Sequence, residues 1–125
     1  MKIANLNQLN EFLKSQNYNT FDKKINIGFA LRKNAQRIEE YLNFFKLSEQ
    51  GKADIIVFLA ENKENFFEIR IVAPDSRFND KQINEFAHEL KTIMSGADNL
   101  NLISSDRQDL NTLLRYILVY NIIHK

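Results

Sequence analysis

Two carboxylates lie beside a pair of segments that read as extended: Asp54 at the start of ADIIVFLA and Glu68 within FFEIRIV. They raise one geometric question, whether the two carboxylates converge on one side of the sheet. Glu68 and Arg70 are two residues apart, so they share one side of a strand. The plainer alternative weighs more: Asp54 is a strand-edge residue, and Glu68 and Arg70 are the solvated face of an edge strand. A second constellation is basic: Lys23, Lys24, Arg32, Lys33 and Arg37. Cations in a first helical turn oppose the helix dipole, so Lys23 and Lys24 are not placed for helix stability. They point to a docking patch for an acidic partner or a phosphate backbone. The alternative is a solvated face balanced by Glu39 and Glu40 one turn later. His88 lies between Glu85 and Glu89 with no partner converging from elsewhere, and His124 is penultimate. Ser104, Ser105 and Asp106 read as helix-entry residues rather than a nucleophile with its base. No catalytic residue, metal-ligand set or cofactor is assigned.

Composition narrows the field. The chain has 125 residues, the size of one domain, and 44% of them are hydrophobic, enough for a real core. It has no cysteine, which removes disulfides, thiolate metal sites and cysteine nucleophiles together. Three glycines and one proline argue against all-β folds and phosphate-cradling glycine loops. The bias toward Asn, Lys, Ile and Phe is that of AT-rich coding sequence. The net charge of +1 gives no global case for nucleic acid or membrane. It is uneven: residues 1–52 hold nine Lys/Arg against five Asp/Glu, and the remainder eight against eleven. A polar stretch follows Met1, and the longest apolar run, Ile55 to Ala60, is too short to span a bilayer. The expected setting is cytoplasmic.

The elements that must position these residues follow from hydrophobic period. Leu6, Leu9, Phe12 and Leu13 predict a first helix over 5–16, capped by Asn5. Ile27, Leu31, Ala35, Ile38, Leu42 and Phe45 step by four, four, three, four and three, which predicts a long second helix over 22–50. Gly28 near its start allows a later beginning, with 24–27 extended, and Gly51 is a natural stop. The run 54–60 reads as a strand buried on both faces. Phe67, Ile69 and Ile71 alternate with Glu68 and Arg70, so a second strand has one wet face and the two form an antiparallel hairpin. Ile83, Phe86, Ala87, Leu90, Ile93 and Met94 predict a helix over 80–95, capped at Asn79 or Asp80. A short strand over 100–103 and a last helix complete the chain. Ser105 and Gln108 stand at capping-box spacing for that helix, with Leu110, Leu113, Leu114, Ile117, Leu118, Asn121 and Ile122 as its buried face. Tyr116, Tyr120, Phe21 and Phe78 are either interface anchors or core.

The Asp54 and Glu68-Ile69-Arg70 pattern resembles the core of the metal-dependent PD-(D/E)xK nucleases. The resemblance covers about twenty residues and implies a Mg²⁺ held by the two carboxylates. Ala53 stands where that family has proline, Arg70 where it has lysine, and the strand the family places before the Asp is not expected here. The run Ala30-Leu31-Arg32-Lys33-Asn34 followed by Ile38-Glu39 resembles the long helix of certain small phage-encoded proteins. It covers about a third of the chain and implies an accessory protein that works by binding.

The expected fold is α+β in a single domain, 1–125. Two N-terminal helices precede the hairpin, and helix, strand and helix follow it. The sheet is small, three-stranded and mixed, with helices packed on it, and 66–103 forms a parallel crossover unit. The expected function is a small non-enzymatic interaction protein, an inhibitor or accessory factor of a phage or mobile element. It binds a larger protein through Lys23, Lys24, Arg32, Lys33 and Arg37, and a homodimer is open. The alternatives are a divergent nuclease-like domain using Asp54 and Glu68, and nucleic-acid binding through the second helix.

Overall fold

The computed structural model describes residues 1–21, 25–32, 37–47, 51–62 and 65–123. In chain order these form α1 (Leu6–Lys14), β1 (Ile27–Leu31), α2 (Ile38–Leu47), β2 (Ile55–Asn62), β3 (Phe66–Pro74), α3 (Asp80–Met94), β4 (Leu100–Arg107) and β5 (Leu113–Ile122). The five strands make one sheet in the order β1-β2-β3-β5-β4. β1 runs parallel to β2, and the other neighbouring pairs are antiparallel.

Alternation along the strands sorts residues to two faces. One face carries Ile55, Val57 and Leu59 of β2, Phe67, Ile69 and Ile71 of β3, and Leu114, Leu118 and Tyr120 of β5. Leu9 and Leu13 of α1 and Ile83, Phe86, Leu90 and Met94 of α3 close over it. α1 lies over β1 and β2, and α3 over β3 and β5. α1 and α3 start where the sequence expects them to. The Asn5 side chain accepts from Gln8 N at 2.9 Å. Asn79 and Gln82 form a reciprocal capping box, each bond 2.9 Å. The segment between α1 and β1 is tied to α3 through Glu89, whose carboxylate accepts from Asn19 N at 2.5 Å and Thr20 N at 2.7 Å.

The other face has a smaller core: Tyr41 of α2 with Ala53, Ile56, Phe58, Val72 and Leu113. Tyr41 and Phe44 meet Phe58 edge-on, with ring centroids 5.0 and 4.9 Å apart. α2 is therefore a short helix lying across one part of this face.

The sheet corrects the expected architecture. The broad α+β class holds, but there are three helices and five strands, where a three-stranded sheet was expected. Both extra strands lie in segments expected to be helical. Ile27–Leu31 is β1, an edge strand that hydrogen-bonds to β2 by backbone alone, so a short apolar run sufficed to form it. Its spacing fits one helical face by coincidence, since five residues cannot separate the two periods. Leu113–Ile122 is β5, which lies between β3 and β4 and carries apolar residues on both faces: Leu114, Leu118 and Tyr120 on one, and Leu113, Ile117 and Val119 beside Arg115 on the other. A two-sided apolar segment loses its alternation and mimics a helical stripe. The turn that starts it is Asn111-Thr112, flanked by a Leu110–Leu113 bridge, with Asn111 at φ +49°. Ser105 thus lies inside β4 and caps no helix. The parallel unit 66–103 is realised at one remove: β3 and β4 run in the same direction, with β5 antiparallel between them.

Candidate functional site

Asp54 and Glu68 point to the same face but do not meet. In the β2–β3 ladder Ala60 pairs with Glu68 and Ile56 with Val72, so Asp54 lies six residues along from the position opposite Glu68. At about 3.3 Å per residue that is ~20 Å, far beyond the reach of one cation. Each acid also has other work. Asp54 accepts from Asn26 N at 2.9 Å and pairs with Arg77, which closes the entry to β1 and β2. Glu68 lies in the centre of the sheet, because β3 is flanked by β2 and β5 and is not an edge strand. The expected wet face is therefore half-buried. Among the described residues no three His, Asp or Glu side chains gather as a metal site would need.

What the fold does assemble is a row of arginines. Arg32 follows β1 and reaches across the sheet, where its Nη2 donates to Glu68 Oε1 at 2.9 Å. Arg70 Nε donates to the same oxygen, and Arg70 Nη1 donates to the Tyr41 hydroxyl at 2.8 Å. Arg115 of β5 donates to that hydroxyl from the other side, Nη1 to oxygen 3.2 Å. The remaining Arg115 bonds go to Gln108: Nε to its carbonyl at 3.1 Å and Nη2 to its side-chain oxygen at 2.9 Å. The row thus runs from β1 to β5, held from above by α2.

Among the described residues the carboxylates bonded to this row are fewer than its guanidinium groups. The Arg32 and Arg70 side chains are 6% and 13% exposed and that of Glu68 is 24% exposed. Arg115 is 8% exposed, and every bond its side chain makes is to a neutral oxygen. Three guanidinium groups share one bonded carboxylate among the described residues. Arg32 Nε is also buried without a hydrogen-bond partner. Burial, and then the charge of Arg70, hold the Arg32 guanidinium below its ordinary pKa in spite of Glu68. Burial pulls Arg70 the same way, but its bond to Tyr41 and the charge of Glu68 outweigh that and raise it. Partly buried cations in excess of their counter-ions cost folding free energy, and an added anion would relieve that cost.

Beside the row, no core cluster formed by the described residues covers the sheet. Directly across from Glu68 and Arg70 on β5 are Val119 and Ile117, and Phe66 is the next residue of β3 on this face. All three are half-buried and belong to neither core cluster among the described residues. On the outer strand Ile103 is 52% exposed at the irregularity between Leu102 and Ser104. An apolar strip next to a row of arginines is the arrangement on which the described residues converge.

Of the expected basic patch, Lys23, Lys24 and Lys33 lie outside the described residues. Arg32 and Arg37 are described, and the structure separates them: Arg32 turns inward at the end of β1, while Arg37 is exposed just before α2. The patch was placed on one long helix, and that helix is in fact a strand and a shorter helix. Arg115 and Tyr41 were missed. Their signal was faint: one cation inside an apolar run, and one tyrosine beside a helical stripe. His88 is exposed on α3. Ser105 Oγ lies 2.8 Å from the Tyr116 hydroxyl and accepts from Lys91 Nζ at 3.1 Å, but on an exposed strand this trio reads as stitching between β4 and α3. Phe78 is core, and Phe21 packs on it with centroids 5.7 Å apart. Among the described residues no helix is long and apolar enough to cross a membrane. No known protein family matches this sequence, and no characterised protein is similar enough to serve as a relative.

Proposed function

We propose that this chain is a small non-enzymatic interaction protein that docks a segment of a larger protein on the uncovered part of its sheet. The observation that carries the reading is the strip of Phe66, Ile117 and Val119, which is apolar, half-buried and outside both cores. Burying such a strip against a partner gains about 25 cal/mol for each Å² removed from water. The partner's chemistry follows from the neighbouring charge: an apolar segment flanked by carboxylates suits a strip bordered by Arg32, Arg70 and Arg115. This moves the contact surface from the expected helix start to the sheet. In this reading the protein works in the cytoplasm, which suits a chain without cysteine. Its role is that of an inhibitor or accessory factor, of a phage or mobile element if the likeness of 22–50 holds.

The test uses the full chain as bait in lysate of its source cell, beside an Ile117→Arg, Val119→Arg double variant and a control variant, Glu85→Arg, on the exposed side of α3. The expected result is a stoichiometric partner captured by wild type and control and lost from the double variant, whose circular dichroism is unchanged. The same partner captured equally by all three would place the contact elsewhere and sink the reading. A second copy of this chain as the occupant would show as a dimer in sedimentation that the double variant abolishes.

A further inference from the structure

The arginine row is asymmetric, and the asymmetry assigns a ligand. At one end Glu68 Oε1 already accepts from both Arg32 and Arg70, so a carboxylate fits between these guanidinium groups. At the other end Arg115 is buried too, and its guanidinium meets only Gln108 and the Tyr41 hydroxyl, while its backbone N–H donates to Asp109 Oδ1 at 3.3 Å. Burying a cation against neutral acceptors leaves most of its desolvation cost standing. The Gln108 side chain is exposed, and its amide nitrogen donates to Asp106 at 3.2 Å. It is therefore a polar cover on Arg115 that can swing away into water. A carboxylate taking its place would meet the Nη2 now bonded to Gln108 Oε1 and would convert a neutral contact into a charge-assisted one.

The geometry points to a specific carboxylate receptor at Arg115, covered by Gln108 in the free protein and filled by an acidic side chain of the docked segment. This rests on the docking reading above and names the polar anchor of the same surface. Nucleic acid fits less well. The guanidinium groups are recessed behind Glu68, Tyr41 and Gln108 and do not protrude toward a backbone, and the chain carries only +1 overall.

The experiment is a titration of isotope-labelled full-length protein, followed by amide shifts. The probes are a blocked peptide alternating glutamate with leucine, the same peptide with glutamine for glutamate, and oligothymidylate. The glutamate peptide should bind at least tenfold more tightly than the glutamine peptide and shift residues of β3, β5 and the Gln108 turn. Arg115→Gln should remove that preference. Gln108→Glu, a change at an exposed position, should supply the carboxylate from within and weaken the glutamate peptide at least tenfold, while Gln108→Ala keeps or improves its binding. Equal binding of the two peptides on this face would overturn the carboxylate receptor and leave the docking surface standing. Shifts from neither peptide would overturn both. Oligothymidylate displacing the glutamate peptide from the same residues would also overturn the inference, in favour of a phosphate backbone.

Discussion

Tyr41→Phe isolates one atom of the arginine row. The ring stays, so the edge-on contact with Phe58 at 5.0 Å and the fully buried position are kept. What is lost is the hydroxyl that accepts from Arg70 at 2.8 Å and from Arg115 at 3.2 Å. A hydrogen bond to a charged group contributes about 1.5–3 kcal/mol, and both guanidinium groups are too buried for water to replace the oxygen fully. The lower end of that range for each bond gives a loss of about 3 kcal/mol. That is a large share of the roughly 5–15 kcal/mol by which domains are stable. In urea, with a slope near 1.5 kcal/mol/M, the midpoint should fall by about 2 M at unchanged slope. Combining Tyr41→Phe with Arg115→Gln should cost less than the sum of the two single changes, by about 1 kcal/mol or more, because they share a bond. A Tyr41→Phe midpoint within about 0.3 M of wild type would refute the reasoning. It would mean that the hydroxyl does not pin α2 to the sheet and that the row is held by Glu68 and Gln108 alone.

Asn99 is buried and bonds both backbone groups of Ile3, accepting from its nitrogen at 2.9 Å and donating to its oxygen at 2.7 Å. Asn99→Ala should cost about 2–4 kcal/mol and raise hydrogen exchange at Ile3, because two buried groups lose their partner at once; slow exchange there in the variant would count against it. Tyr120 lies in the main core, and burial pushes its phenol up to about 12 from an ordinary 10. The folded state then keeps its proton where the unfolded state releases it, so this contribution is complete below pH 10 and is lost as pH rises from about 10 to 12. Tyr120→Phe should flatten the fall of stability across that window, and an unchanged slope in urea midpoints measured between pH 9 and 12 would count against the assignment.

The parts of the fold legible in the sequence are those whose signal is local. The α1 cap at Asn5 and the α3 cap at Asn79 or Asp80 were legible because a capping side chain meets a backbone group three residues away, and the structure chooses Asn79. The β2–β3 hairpin was legible because Phe67, Ile69 and Ile71 alternate with Glu68 and Arg70 between a polar turn and Pro74. β1 and β5 were not legible. β1 is five residues long and exists through its backbone pairing with β2, which leaves almost no mark on its side chains. β5 carries apolar residues on both faces, interrupted by Arg115 and Asn121, and only the turn at Asn111 distinguishes it from a helix.

The candidate site divides in the same way. The types and spacing in the chain determined a cysteine-free composition with a near-neutral charge, and a Glu68–Arg70 pair on one side of a strand. Whether that pair was wet, catalytic or buried depended on the strand's neighbours, which are set by contacts between residues far apart in the chain. Only the tertiary structure put β5 beside β3, brought Arg115 and Tyr41 to Arg70, and left Asp54 some ~20 Å from Glu68. Local sequence sets which side of an element a charge occupies. Sheet order sets which other charges it meets, and from that meeting comes a row of three arginines that, among the described residues, bonds to Glu68 at one end and to neutral oxygens at the other.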